Sequence, residues 1–199
     1  MSVLDDLRYW RDKMVTDYGA IKLANELTQE ITAFPGGTGF LAGEPSHRPV
    51  MVVCHNYDGE NNAYRPVDYH GSYWLTLCEY LDGADVPQEH VFLTNVLMGL
   101  RPGQSGGEMK DKCSPLFIEQ CISFFAKQAE LVRPELVIVC GDEAKKLLVG
   151  TSTGERVYVA HPSSNQTSIP ENRTRRAAKH VAAIRAALER IGYYTRRTG

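Results

Sequence analysis

Residues 134–149 read "PELVIVCGDEAKKLLV" and hold a strand and a helix back to back. The apolar run from Leu136 to Cys140 has no polar interruption, is too short for an ordinary helix and is rich in β-branched side chains, so it predicts a strand buried on both faces. "DEAKKLLV" follows Gly141 directly and predicts a helix. Strands of this kind, each handed on to a helix, are the units of a parallel sheet covered on both sides, because a crossover must bring the chain back before the next parallel strand can start.

The same alternation extends in both directions. Before it come a strand in "PVMVVCH" (49–55), a helix in "GSYWLTLCEYL" (71–81), a strand in "HVFLTNV" (90–96) and a helix in "CSPLFIEQCISFFAKQAELV" (113–132); after it come a strand in "RVYVAH" (156–161) and a long basic helix from about 172 to 191. The class is α/β, a three-layer α/β/α arrangement with a central four-stranded parallel sheet. Upstream, Leu4, Leu7, Tyr9 and Trp10, then Ile21, Leu23, Leu27 and Ile31, recur at helical spacing and predict one or two N-terminal helices ending before "FPGGTG" (34–39). Its G-x-G follows a helix and not a strand, which favours a plain loop over a nucleotide fingerprint, and no G-x-x-x-x-G-K-[ST] occurs. A chain of 199 residues, 43% hydrophobic, suits one domain over 1–199: N-terminal helices and loop to residue 48, an α/β core over 49–191 and a basic tail over 192–199.

Charge is unevenly spread. The formal net charge is -2, yet from Glu171 to Gly199 there are eight Lys/Arg against two Glu. Such a segment suits either a polyanion partner or a solvated helix face. The opening "MSVLDDLRYW" has no apolar signal region and no later run approaches a membrane span, so a cytoplasmic protein without membrane association is expected. Five cysteines, at 54, 78, 113, 121 and 140, show no paired spacing. They suggest small core residues and neither a disulfide framework nor a metal ribbon.

In a parallel sheet ligands bind beyond the carboxyl ends of the strands, where the crossover loops open. Here those ends are polar: "CHNYDG" (54–59), "TNVLMGLRPG" (94–103) and "HPSSN" (161–165). They bring His55, Asn56, Asn95 and His161 toward one crevice. An asparagine amide offers an acceptor and a donor together, which matches the amide-like edge of a pyrimidine. Another can hold a water, while a neutral histidine donates to an oxygen that gains negative charge. Taken singly, each has a plain structural role: Asn95 can satisfy a strand end, Asn56 can make an Asx-turn, His55 can cover the sheet edge and His161 can bond a neighbouring carbonyl.

These stretches resemble the uracil-DNA glycosylase superfamily over about residues 49–190. "VMVVCHNYDG" is similar to the strand that runs into the family's water-activating motif, with Asn56 at its catalytic acid or amide; "FLTNVLMGLRPGQ" is similar to its strand-Asn-Arg-Pro-Gly signature; residues 113–148 match its Cys-led helix, strand and Gly-x-x-Ala turn; and "HPSSN" matches His-Pro-Ser. The resemblance implies that His161 stabilises the departing base and that Ser163, Ser164 and Asn165 enter the minor groove. It also implies that Tyr69 of "VDYHG" stacks on the base, beside base contacts from Asn95 and His55. Arg173, Arg175 and Arg176 would add phosphate contacts. Iron-sulfur members carry a cysteine where this chain has Gly99, so although Cys113 is retained no cluster, metal or other cofactor is expected.

The expected function is therefore a monofunctional DNA glycosylase with DNA as partner, monomeric and without an obligate protein partner, that flips out a pyrimidine and hydrolyses its glycosidic bond. Asn56 cannot act as a general base and could only position a water. Where strictly uracil-specific members continue Asp-Pro-Tyr, with the tyrosine against C5 of the base, this chain reads Asn56-Tyr57-Asp58. An aspartate there implies room for a C5 substituent, as in hypermodified phage cytosines, or else a side chain turned to solvent. A non-catalytic module for modified or single-stranded DNA and a free-nucleoside hydrolase are the alternatives, since one fold serves all three.

Overall fold

A computed structural model describes residues 3, 5–7, 9–10, 48–56, 72–97, 115–151, 153–162 and 170–197. The apolar runs form strands and the amphipathic segments helices, in the order β1 (Val50–Asn56), α1 (Ser72–Gly83), β2 (Val91–Leu97), α2 (Pro115–Val132), β3 (Leu136–Cys140), α3 (Asp142–Leu147), β4 (Glu155–Val159) and α4 (Pro170–Arg190). Short 3-10 turns over Gln88–His90 and Thr195–Arg197 precede β2 and follow α4. Residues 3, 5–7, 9 and 10 are helical, as the N-terminal spacing predicts. Ile21, Leu23, Leu27, Ile31 and "FPGGTG" lie outside the described residues. No described helix is long and apolar enough to cross a membrane.

The four strands form one sheet, all pairs parallel, in the order β2-β1-β3-β4. The three-layer α/β/α class expected from the sequence is therefore observed. Alternation divides the core in two. Met51, Val53, Phe92, Val96, Val137 and Val139 face α2, α3 and the N-terminal helical residues, meeting Phe125, Ala144 and Leu7. Val50, Val52, Cys54, Leu93, Ile138 and Cys140 face α1 and α4, meeting Tyr80, Leu81, Ile184 and Leu188. Fully burying a side chain of this size contributes roughly 1.5–3 kcal/mol. Where α1 meets α4, a Cβ on Gly83 would stand 2.8 Å from a Val181 methyl, so the two helices approach as closely as a bare glycine permits.

β4 departs from the unbroken-run pattern. Val157 and Val159 are buried, but Tyr158 between them is exposed and lies under the Lys145 ammonium, 4.9 Å from the ring centroid. At the sheet edge only one face of the strand is covered, here by α4, and the other tolerates an amphipathic side chain.

Residues 192–197, part of the segment set apart in the sequence as a basic tail, are docked. Tyr193 is buried and its hydroxyl sits 2.7 Å from His90 Nδ1, Tyr194 donates to the Ala84 carbonyl at 2.7 Å, and Arg196 pairs with Glu135. Composition alone read this end by its arginines, whereas the two tyrosines decide where it goes.

Candidate active site

The order β2-β1-β3-β4 sends the chain from β1 to α1 on one face and from β3 to α3 on the other. Neighbouring strands whose exits diverge leave a crevice between their carboxyl ends, the usual place for a ligand in such a sheet. The register shows what meets there. Cys54 on β1 is opposite Asn95 on β2, Cys140 on β3 is opposite Val159 on β4, and Val53 pairs with Val139, so Cys54 and Cys140 are the next neighbours along. Asn95, Cys54, Cys140 and Val159 thus form one row across the sheet, on the α1/α4 face.

Two residues further on come Asn56, at the end of β1, and His161, just past β4. They lie two strand spacings apart, roughly 10 Å across the backbone. The backbone thus sets Asn56 and His161 just beyond the row that holds Asn95. His55, grouped with them from the sequence, falls on the opposite pleat, toward α2 and α3, because strand side chains alternate with a period of two. It is buried there, as Asn95 is on its own side. Arg175 and Arg176 are exposed on α4, which begins eight residues after Pro162. Tyr69, Asp58, Ser163, Ser164 and Asn165 lie outside the described residues, as do the side chains of Asn56 and Arg173.

His161 is held from three sides. The Gly141 amide donates to the Val159 carbonyl at 2.9 Å, and a Cβ on Gly141 would lie 3.1 Å from His161 Cβ, so the histidine packs against a position that has no side chain. Just before it, the Ala160 amide donates to His180 Nε2 of α4 at 3.4 Å. Burial, with Lys179 and Arg176 nearby, lowers the pKa of His180, which keeps that nitrogen free to accept. The His161 ring itself is hydrogen-bonded to the Cys54 sulfur.

That sulfur is the residue the sequence did not single out. The hydrogen bond from Cys140 brings the Cys54 pKa down to about 5 against the opposing effect of burial, and His161 adds to the lowering. Cys140 moves the other way, well above the ordinary thiol range, because it is the donor to Cys54 and is itself buried. Burial works to lower the pKa of His161, but the hydrogen bond and negative charge of Cys54 outweigh it and raise the pKa. The two shifts run in opposite directions, the sulfur toward losing its proton and the ring toward keeping one. The only signal in the sequence was position: both cysteines close an apolar strand.

On α4, Arg185 and Arg190 are tied to Asp85 and Glu155 at 2.8 and 2.6 Å, whereas among the described residues no ion pair engages Arg175, Arg176 or Lys179. A cavity of about 680 Å³ opens elsewhere, beside Arg48, Pro49, His90, Glu135 and Arg196. It lies at the amino ends of the strands, across the sheet from His161.

Residues 44–189 match the family model of the uracil DNA glycosylase superfamily. The chain belongs to that superfamily. No curated protein matches it. Superfamily members are DNA N-glycosylases, so the general function is of the DNA glycosylase type, with DNA as the partner. The superfamily fold and the crevice coincide: the matched span begins just before β1 and ends within α4, enclosing every strand end described above.

Proposed function

We propose that this member of the superfamily is a monofunctional glycosylase that extrudes a pyrimidine nucleotide from DNA and hydrolyses its N-glycosidic bond. What supports the reading is the row Asn95, Cys54 and Cys140 at the carboxyl ends of the strands, with Asn56 closing β1 and His161 following β4. In this mechanism a water held by Asn56 adds to C1′ as the C1′–N bond breaks, and the electron pair leaves with the base. The N–H of His161 donates to the base oxygen where that charge collects, and the water's proton passes to the departing base or to solvent. An amide takes no proton, so acceleration comes from orientation and leaving-group stabilisation. No lysine nucleophile is involved, and the product is an intact strand with an abasic site.

Extruding a base costs a few kcal/mol in unstacking. Tyr69 would stack on it and Asn95 would read its amide edge, while Ser163, Ser164, Asn165 and Arg173, Arg175 and Arg176 hold the phosphates. The alternation that sets His55 on the other face leaves the base contacts to Asn95, Tyr69 and Asp58. With Asp58 where strictly uracil-specific members have an aromatic, the pocket accommodates a C5 substituent, and a carboxylate can accept hydrogen bonds from a hydroxymethyl or sugar group. Defence against modified foreign DNA is then the role that fits.

Abasic sites counted after incubation with duplex and single-stranded DNA carrying uracil, mismatched thymine or glucosylated hydroxymethylcytosine test this. Release of at least one base is expected, with Asn56→Ala and His161→Ala each slower by roughly 10²- to 10³-fold and still folded. Tight binding without release from any substrate would instead establish a recognition module, a reading that the amide at position 56 supports. Release confined to uracil would remove the C5 argument.

A further inference from the structure

β4 is the last strand of the described sheet, so only one of its sides has a strand to bond. Val159 uses that side: it pairs with Cys140, and its carbonyl accepts the Gly141 amide at 2.9 Å. Backbone groups of successive strand residues point to opposite sides, so the N–H of Ala160 points away from β3, toward the sheet edge. A half-buried amide at an edge has to find an acceptor other than a strand. It finds a side chain, Nε2 of His180 on α4, at 3.4 Å.

That acceptor is held in place. The His180 ring packs 5.3 Å from the Tyr80 ring of α1, tilted by 58°, and Tyr80 is fully buried. The next residue, Val181, is where α4 meets Gly83 at a spacing that leaves no room for a Cβ. A helix seated so closely has little freedom to slide, and His180 therefore meets β4 at a fixed height. Burial, then Lys179 and Arg176, lower the pKa of His180, so the ring is neutral at pH 7 and has a lone pair to offer.

We propose that His180 is a positioning residue for His161: by accepting the Ala160 N–H it fixes the peptide that leads into His161, and so sets where the imidazole stands at the crevice. Its catalytic meaning rests on the glycosylase reading, whereas the bond belongs to the free protein. Restraint is needed here because the ladder stops at Val159, β3 having turned into α3 by Asp142. The bare Gly141 limits His161 from one side, and the bond to His180 anchors the residue before it. Acceptance at Nε2 by a neutral ring requires the ring proton on Nδ1, so the tautomer of His180 is fixed as well. Arg176 lies one turn earlier on the same face of α4. One helix thus carries a phosphate contact and sets the histidine that meets the base.

The test compares His180→Phe with His180→Gln in the full chain. Phenylalanine keeps a ring against Tyr80 and removes the acceptor; glutamine loses the ring and places an amide oxygen close to where Nε2 stood. Nitrogen NMR of the wild-type ring should show the proton on Nδ1 at neutral pH. Hydrogen exchange at the Ala160 amide should be about 5- to 10-fold faster in the phenylalanine variant, as loss of one hydrogen bond allows. Single-turnover base release should fall by about 10- to 100-fold, the order that a misplacement of up to about 1 Å costs, with DNA affinity unchanged. Glutamine should restore part of both. A ring that merely packs gives the reverse order, phenylalanine active and glutamine impaired, and that result overturns the proposal. So does a wild-type ring with its proton on Nε2, a measurement that needs no variant to fold. Wild-type protein that releases no base from any substrate overturns the glycosylase reading instead, and exchange at Ala160 then decides the bond by itself.

Discussion

Thr94 Oγ1 donates to Gln128 Oε1 at 2.7 Å, with both side chains closed off from solvent. Thr94 precedes Asn95 on β2 and points the opposite way, so this bond ties the strand that presents Asn95 to α2 on the far side of the sheet. It is a polar tie beside Phe92, Val96, Phe124 and Phe125. The support of the crevice therefore runs through the sheet and not only along it.

Thr94→Val keeps the shape and removes the donor, leaving the Gln128 carbonyl oxygen buried without it. The expected loss is about 1–3 kcal/mol in urea unfolding. Adding Gln128→Leu should return part of that loss, because both polar partners are then gone. A double variant as unstable as the sum of the two single ones would show that the bond contributes no coupling.

Gly141 has φ 92 and ψ 157, a region that only glycine occupies readily, and a Cβ there would press on His161. Gly150 has φ +85 but open space around its missing Cβ. Both Gly141→Ala and Gly150→Ala should lose stability, by roughly 1–3 kcal/mol for the strained backbone. Only Gly141→Ala should also slow base release, since only it displaces the histidine. Equal activity in the two variants would argue against the Gly141 packing as a determinant of His161 placement.

Removing Arg173, Arg175 and Arg176 together should weaken DNA binding to a similar degree for all base sequences. The slope of log affinity against log salt should fall by about one for each phosphate that is no longer neutralised. Arg185→Ala is the control, because that guanidinium is already engaged by Asp85. A changed base preference with an unaltered salt slope would move these arginines from phosphate binding to base reading.

Stability should depend on pH through Cys54 and His161, with opposite signs. Cys54 falls from 9.0 to about 5, so above about pH 5 the unfolded chain holds a proton that the folded one has lost, and stability rises with pH. His161 is raised from 6.5, so above 6.5 the folded chain holds a proton that the unfolded one has lost, and its contribution falls. The difference between wild type and Cys54→Ser should therefore climb between roughly pH 5 and 6.5 and rise less steeply above that, where the His161 contribution falls. Urea unfolding across that range measures it; a flat difference would mean that the thiol stays protonated in the fold.

Much of the architecture was determined by local pattern. Uninterrupted runs such as Leu136–Cys140 can only be strands covered on both faces, and each was handed to an amphipathic stretch, so the parallel three-layer class was fixed before any tertiary packing was known. The polar ends of β1 and β2 and the histidine after β4 were legible for the same reason, since they interrupt that pattern where the sheet must open. What the sequence left open was which strands are neighbours. Parallel partners come from distant parts of the chain, so nothing in "VMVVCHN" or "LVIVC" announces that Cys54 and Cys140 adjoin. The same holds for Tyr193 and Tyr194, whose hydroxyls find His90 and Ala84 only once α4 has packed on α1. Periodicity encodes which face of an element is buried, because that depends on the element alone; the strand order and the neighbours of His161 depend on which buried faces meet, and only the folded chain decides that.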